Sequence, residues 1–209
     1  MSEINDVCSL GSSCHSSQIL KRNKHKVCSY PFDWTFSNFE TIIDCLKDNF
    51  EVFLDKSYYI NISHKKCGHS KYHGQMWWHH NPLINTNHYN YYVRCVERFK
   101  FLLTKQQHKL FIITFLNIDY DKIENNIIHD IIEFNNIFSK YTSNYTLLVI
   151  LHVPFKILTN YHRFTYHDNI HFLELYTLSS SCGLKFRNDN DNIYLDNIIN
   201  SKYNFYNKK

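Results

Sequence analysis

The residues best suited to chemistry sit near the start of the chain. They read Cys8-Ser9-Leu10-Gly11-Ser12-Ser13-Cys14-His15, followed by Ser29-Tyr30-Pro31-Phe32-Asp33-Trp34. The apolar run at 7–10 has the character of a strand end, and Gly11 interrupts it. Ser12 or Ser13 can then cap a helix running to about Arg22, which predicts Cys14 in the first turn. Unpaired N–H groups and the positive end of the helix dipole favour a thiolate at such a position, so Cys14 is a candidate nucleophile. The competing reading is a buried structural thiol.

A cysteine nucleophile needs an imidazole base and a third group to orient that imidazole. His80 and His79 lead for the base, within Trp77-Trp78-His79-His80-Asn81-Pro82. Asp33, Asn81 or Asp119 can supply the orienting group, and the turn at Ser12 and Ser13 can supply oxyanion donors. With fourteen histidines in the chain, one will lie near Cys14 by chance, so the plain alternative for His79-His80 is packing beside Trp77 and Trp78.

Three neighbouring chemistries compete with this reading. His64, Cys67, His69 and His73 lie close together in sequence and are zinc-ligand types, but their spacing fits no zinc-finger pattern, so no metal and no cofactor is assigned. A phosphate could sit at the Gly11-Ser12-Ser13 helix start, yet the dinucleotide fingerprint and the Walker lysine are both absent. A nucleophilic Ser12 or Ser13, as in serine esterases, is a close relative of the cysteine reading.

The elements that must position these groups follow from periodicity. The motif Ser37-Asn38-Phe39-Glu40 reads as a capping box before a helix with Phe39, Ile42, Ile43, Leu46 and Phe50 on one face. Residues 56–86 are rich in Tyr, His, Ser and Lys without a clean period, which predicts a long irregular excursion closing over the Cys14 end of the sheet. Asn87 is expected to cap a helix to about Leu103. Apolar runs at 110–116 and 147–153 predict strands buried on both faces, with a helix from Asp121 to about Lys140 between them. A further strand is expected at 170–176 and a last helix at 192–200, with a frayed polar tail from about 201. The expectation is a single α/β domain over 1–209, a mainly parallel Rossmann-like sheet flanked by helices and carrying a long His-rich loop insertion. In such sheets sites gather at the carboxyl ends of strands, so Cys14, Asn117, Asp119 and His152 are expected to converge.

Composition bounds the rest. The chain has 209 residues, no alanine, 17% aromatic residues and a formal net charge of +4. No Lys/Arg run is long enough for a nucleic-acid patch; the densest cluster, Lys21 to Lys26, suits the end of the first helix. No apolar stretch reaches membrane-spanning length. Seven cysteines at irregular spacing and a polar start imply free thiols in a reducing, cytoplasmic setting. The partner expected is a peptide or small-molecule substrate, with neither membrane nor nucleic acid, and the oligomeric state is left open.

Taken together, the Ser-Leu-Gly-Ser-Ser-Cys run at 9–14, Leu20-Lys21-Arg22-Asn23-Lys24, the Ser-Tyr-Pro-Phe-Asp-Trp run at 29–34, Ser37-Asn38-Phe39-Glu40, the stretch at 79–82 and Arg94-Cys95-Val96-Glu97-Arg98-Phe99 resemble a family of bacteria and large DNA viruses described as "putative papain-like cysteine peptidase". The resemblance covers roughly residues 5–116. It implies a thiol hydrolase with Cys14 as nucleophile and His79 or His80 as base, in the host cytoplasm or virion if the chain is viral. Two alternatives stay open beside it: a non-peptidase transferase or hydrolase on an α/β scaffold, and a catalytically inactive interaction module.

Overall fold

The two apolar runs form the centre of the molecule, because strands apolar on every position must be covered on both faces. The computed structural model describes residues 3–119, 126–155 and 158–206. In chain order the elements are β1 (Asp6–Ser9), α1 (Cys14–Arg22), α2 (Phe39–Lys47), the short α3 (Glu51–Leu54), β2 (Tyr59–Ser63), β3 (Lys66–His69), β4 (His73–Trp77), α4 (Thr86–Thr104), β5 (Lys109–Phe115), α5 (Asn126–Phe138), β6 (Tyr145–Pro154), β7 (Tyr161–His167), β8 (Ile170–Thr177) and α6 (Asp189–Lys202).

The main sheet has the order β1-β5-β6-β8-β7. Its first four members are parallel neighbours, and only the edge strand β7 runs antiparallel, against β8. Leu110, Ile112, Leu148, Ile150 and Leu173 point to one face, where Ile19 and Leu20 of α1 and Leu195 and Ile198 of α6 cover them. Phe111, Leu147, Val149 and Phe172 point to the other, against Ile42 of α2, Phe99 of α4 and Phe134 of α5. The result is a mixed α/β structure with a mostly parallel sheet and helices on both faces. Among the described strands the order advances without the reversal that marks a Rossmann sheet.

Several expectations need correction. Residues 59–77 are not irregular: β2, β3 and β4 form a second, antiparallel sheet. Register shifts at Asn61/Ser63 and at Cys67/His69 break the alternation that would have revealed it. This small sheet is joined to the segment before α2 by a Thr35–Trp77 bridge and by Phe36 N–H donating to Met76 O at 3.1 Å. Asn38, not Ser37, caps α2, accepting from Thr41 N–H at 2.8 Å. Ser37 is free to donate to Leu10 O instead, at 3.1 Å. Asn85 rather than Asn87 caps α4. The edge strand β7 escaped notice because its outer positions are exposed and polar. The start of the helix expected from Asp121 falls outside the described residues. The tail does not fray at once: Ile4 pairs with Phe205, and Tyr206 N–H donates to Ile4 O at 2.8 Å.

The tightest point of the fold is Gly11. Its φ is +87°, and a Cβ there would run into Ser37 Oγ and lie 2.9 Å from Phe32 O. Both the left-handed backbone and the space exclude a side chain. Gly11→Ala should therefore destabilise the protein by at least about 2 kcal/mol in urea unfolding. A loss within a few tenths of a kcal/mol would show that the turn can reorganise.

Candidate functional site

The passage from β1 to α1 is built from hydroxyl groups. Ser9 Oγ accepts from Gly11 N–H at 3.1 Å and lies 2.9 Å from Ser16 Oγ, which also reaches Gly11 O at 2.9 Å. Ser12 is left-handed, φ +67°, and its hydroxyl donates to the backbone carbonyl of Thr114 at the end of β5. Ser12 N–H points at Ser37 Oγ, 3.4 Å away. Ser13 caps α1, its Oγ accepting from His15 N–H at 3.4 Å. Both serines are thus spent on the turn, which leaves neither hydroxyl with a histidine partner to activate it.

Cys14 is the first residue of α1, at the carboxyl end of the main sheet. It is half-buried, and all seven cysteines are free. Its thiol does not have the lowered pKa expected of a helix start. Burial pushes it up, opposed only by the residue's own backbone N–H. The desolvation of a thiolate outweighs what one turn of helix returns. No hydrogen bond joins its sulfur to a histidine among the described residues. Its neighbour is Tyr92 of α4, whose buried phenol is raised in part by the Cys14 charge. The Tyr92 hydroxyl in turn lies 3.4 Å from His80 Nδ1.

The two candidate bases part company. His79 is exposed. His80 is half-buried, stacked on Tyr91 at 5.1 Å and edge-on to His88 at 4.8 Å. Burial first, then the charges of His88 and His79, hold the His80 imidazole below its ordinary pKa. It is therefore neutral near pH 7 and able to accept a proton.

Among the described residues no hydrogen bond joins His80 to Asp33 or Asn81. Asp33 is fully buried and turned away. Its Oδ2 accepts from Tyr30 N–H at 2.7 Å and from the Lys26 ammonium, and burial holds its carboxyl above the usual range despite Lys26. Residues 31–34 form a turn that buries both Phe32 and Asp33. Asn81 holds the small sheet together: its Nδ2 donates to Asn61 Oδ1 at 2.8 Å and Ser63 O at 2.6 Å, and its Oδ1 accepts from Leu83 N–H at 3.1 Å. Asp119 is exposed, four residues past the carboxyl end of β5. The histidines of 64–73 are dispersed as well. His69 is buried between Tyr58 and Tyr72 with Nε2 at 3.1 Å from Val52 O, while His64 and His73 face solvent. Among the described residues no group of three His, Cys, Asp or Glu side chains is arranged to hold a metal ion.

A convergence does occur at the strand ends, but on His15 rather than on Cys14. Asn117 N–H donates to His152 Nδ1 at 3.2 Å, and His152 Nε2 lies 2.7 Å from Thr177 Oγ1. The Asn117 side chain clamps Ser181, donating to its carbonyl at 2.9 Å and accepting from its N–H at 2.8 Å. Ser181 Oγ is 2.8 Å from His15 Nδ1, and Phe186 packs on both imidazoles. One step along a helix turns a side chain by about 100°, so Cys14 and His15 face different surroundings. His15 went unnoticed because it follows the more conspicuous cysteine, and nothing local announces a partner 166 residues away. Cys182, next to Ser181, is the exposed thiol, and backbone N–H groups of Lys185 and Leu184 lower its pKa.

A family model described as "putative papain-like cysteine peptidase" matches residues 5–154. The chain belongs to that family. The match runs through the last residue of β6 and leaves β7, β8 and α6 beyond it. No curated protein and no solved structure matches the chain. Among the described residues no helix is long and apolar enough to cross a membrane.

Two measurements follow from this geometry. Asp33→Asn should lower stability by about 3 kcal/mol, because it strands the largely buried Lys26 ammonium. The double variant with Lys26→Met should recover at least half of that, and neither should change the alkylation rate of Cys14. The second measurement concerns pH. Burial, with Arg22 and His152 nearby, holds His15 down to about 3, and burial holds His152 down to about 4. Both imidazoles titrate near 6.5 in an unfolded chain, which then binds more protons than the native state. Their stabilisation is complete above about pH 6.5 and is lost as pH falls, by up to about 1.4 kcal/mol per pH unit for each ring. Unfolding midpoints measured down this range should flatten in His15→Gln/His152→Gln, with His171, lowered to about 4, keeping a residual slope.

Proposed function

We propose that the protein is a thiol hydrolase of the papain-like kind, with Cys14 as nucleophile, His80 as base and a peptide as substrate. The observation that carries this reading is the position of Cys14: half-exposed, first residue of a helix, at the carboxyl end of a parallel sheet. Family membership supports the same class of chemistry. Burial favours His80 over His79 because it keeps the imidazole neutral, and Tyr92 stands beside both reacting groups.

The resting pair is then a neutral thiol and a neutral imidazole rather than an ion pair. In the reaction His80 removes the Cys14 proton as the sulfur attacks the substrate carbonyl carbon. The resulting oxyanion is held by N–H groups at the start of α1, with that of Ser13 better placed than that of Ser12, which already faces Ser37. Collapse breaks the C–N bond, the amine leaves with the proton from His80, and water then hydrolyses the thioester with the same histidine as base. Asp33 and Asn81 serve the scaffold in this scheme, and Tyr92 is the group that positions the imidazole.

The test uses a Cys182→Ser background, because Cys182 is the thiol expected to alkylate fastest in the resting protein. A peptidyl acyloxymethyl ketone, which needs an assembled Cys–His site, should label Cys14 when sites are resolved by mass spectrometry. His80→Gln should slow that labelling by about 100-fold or more, the scale of a lost general base. His79→Gln should change it by less than about threefold, and Tyr92→Phe should fall between them. Equal labelling of the His80→Gln protein, or labelling of Cys14 no faster than by simple iodoacetamide chemistry, would sink the reading.

A further inference from the structure

Between α2 and α5 the surface opens into a groove of about 500 Å³. Its floor is apolar, formed by Phe39, Ile43, Phe134 and Ile137, with Phe39 stacked on Phe134 at 4.4 Å. Its walls carry Glu40, Asp44, Asp130 and Glu133, against Lys47 as the one lining cation. The residues recur at spacings of three and four on each helix, so each helix turns one mixed apolar and acidic face to the groove. This reverses the sign of a chain whose net charge is +4.

Two of the four carboxylates carry no ion pair among the described residues. Asp44 shares a 3.0 Å ion pair with exposed Lys71, and Asp130 lies 3.9 Å from the ring of His129. Among the described residues Glu40 and Glu133 have no ion-pair partner. Both are exposed and flank the partly exposed Phe39 and Ile137, with Ile43 and Phe134 buried beneath. A volume of this size suits a few side chains of a ligand.

We propose that this groove binds a peptide segment in which Lys or Arg residues flank an apolar one. The apolar side chain would rest on Phe39, Ile43, Phe134 and Ile137, and the cations would meet Glu40 and Glu133. Charge complementarity selects this occupant. A fatty acid or a nucleic acid brings negative charge against carboxylates, and a simple polyamine leaves the apolar floor uncovered. The groove and a smaller cavity of about 170 Å³ share Asn38, and Ser12, Ser37 and His73 line that cavity. A bound segment therefore lies beside the β1–α1 turn. The inference stands whether or not Cys14 is a nucleophile, because its test reads binding alone.

The probe is a fluorescein-labelled peptide of alternating Lys and Leu, followed by anisotropy against the full chain, with a Glu-for-Lys counterpart and spermine as competitors. The Lys/Leu peptide should bind and weaken about fivefold or more between about 50 and about 300 mM salt. The Glu counterpart should not compete, and spermine should compete at least about 10-fold more weakly than the unlabelled peptide. Glu40→Gln/Glu133→Gln, on two exposed side chains, should weaken binding about 10-fold, and each single variant about threefold. Absence of binding overturns the proposal, as does equal affinity of the double variant. Spermine competing as well as the peptide makes this a polycation site and overturns it too. So does a concentration-dependent dimer that the double variant abolishes, since the occupant is then a second copy of the chain.

Discussion

Two consecutive left-handed residues, Gly11 and Ser12, turn the chain from β1 into α1, and the site depends on how that turn is held. Ser37 reaches in from the loop before α2 to Leu10 O, Ser12 ties the turn to Thr114 on the neighbouring strand, and Gly11 lets the carbonyl of Phe32 approach closely. Each contact comes from a different part of the sequence. Together they fix the first turn of α1 relative to the sheet, and with it the direction in which Cys14 points. A left-handed serine is an unfavourable backbone choice, retained here by a hydroxyl that satisfies a carbonyl at the strand end.

Around this turn the dominant electrostatic effect is desolvation. It raises Cys14, lowers His80, and holds His15 and His152 far down. The helix start that argues for a thiolate in isolation is too small to overcome it. Charge in this region is therefore created by events at the site and is not stored there. The thiol whose environment favours ionisation is Cys182, where two backbone N–H groups face the sulfur in open solvent. The contrast illustrates why a helix N-terminus and a reactive thiol are separable properties: the first is geometry, the second is geometry less the cost of dehydration.

Much of the scaffold was legible in the sequence, because long apolar runs and three-and-four spacing are local signals. β5, β6, β8 and the helices α1, α2 and α4 follow from them, and so does Cys14 at the start of α1. What escaped was set by distant contacts. The small sheet hides behind two register shifts, and the caps of α2 and α4 differ by a residue or two because several Asn and Ser compete for each. Asp33, a candidate orienting group by type and position, is buried by a turn against Lys26, a contact that local spacing does not reveal. Asn117 and His152 were rightly placed together at the strand ends, but their third partner is His15, which only the folded chain brings to them.

The strand order has a consequence for how the chain can be divided. β8 lies between β6 and β7, and pairs with β6 from Leu147 to Pro154. The family match ends at Pro154, the last residue of β6. Without the residues beyond it, β6 would present a bare margin on the β8 side: ten residues long, mostly apolar, without Asp, Glu, Lys or Arg, and with the N–H and C=O groups of that side unpaired. Such a margin recruits other strands, including those of identical chains. In the full fold β8 satisfies that margin, and the polar, half-exposed β7 takes the outer edge.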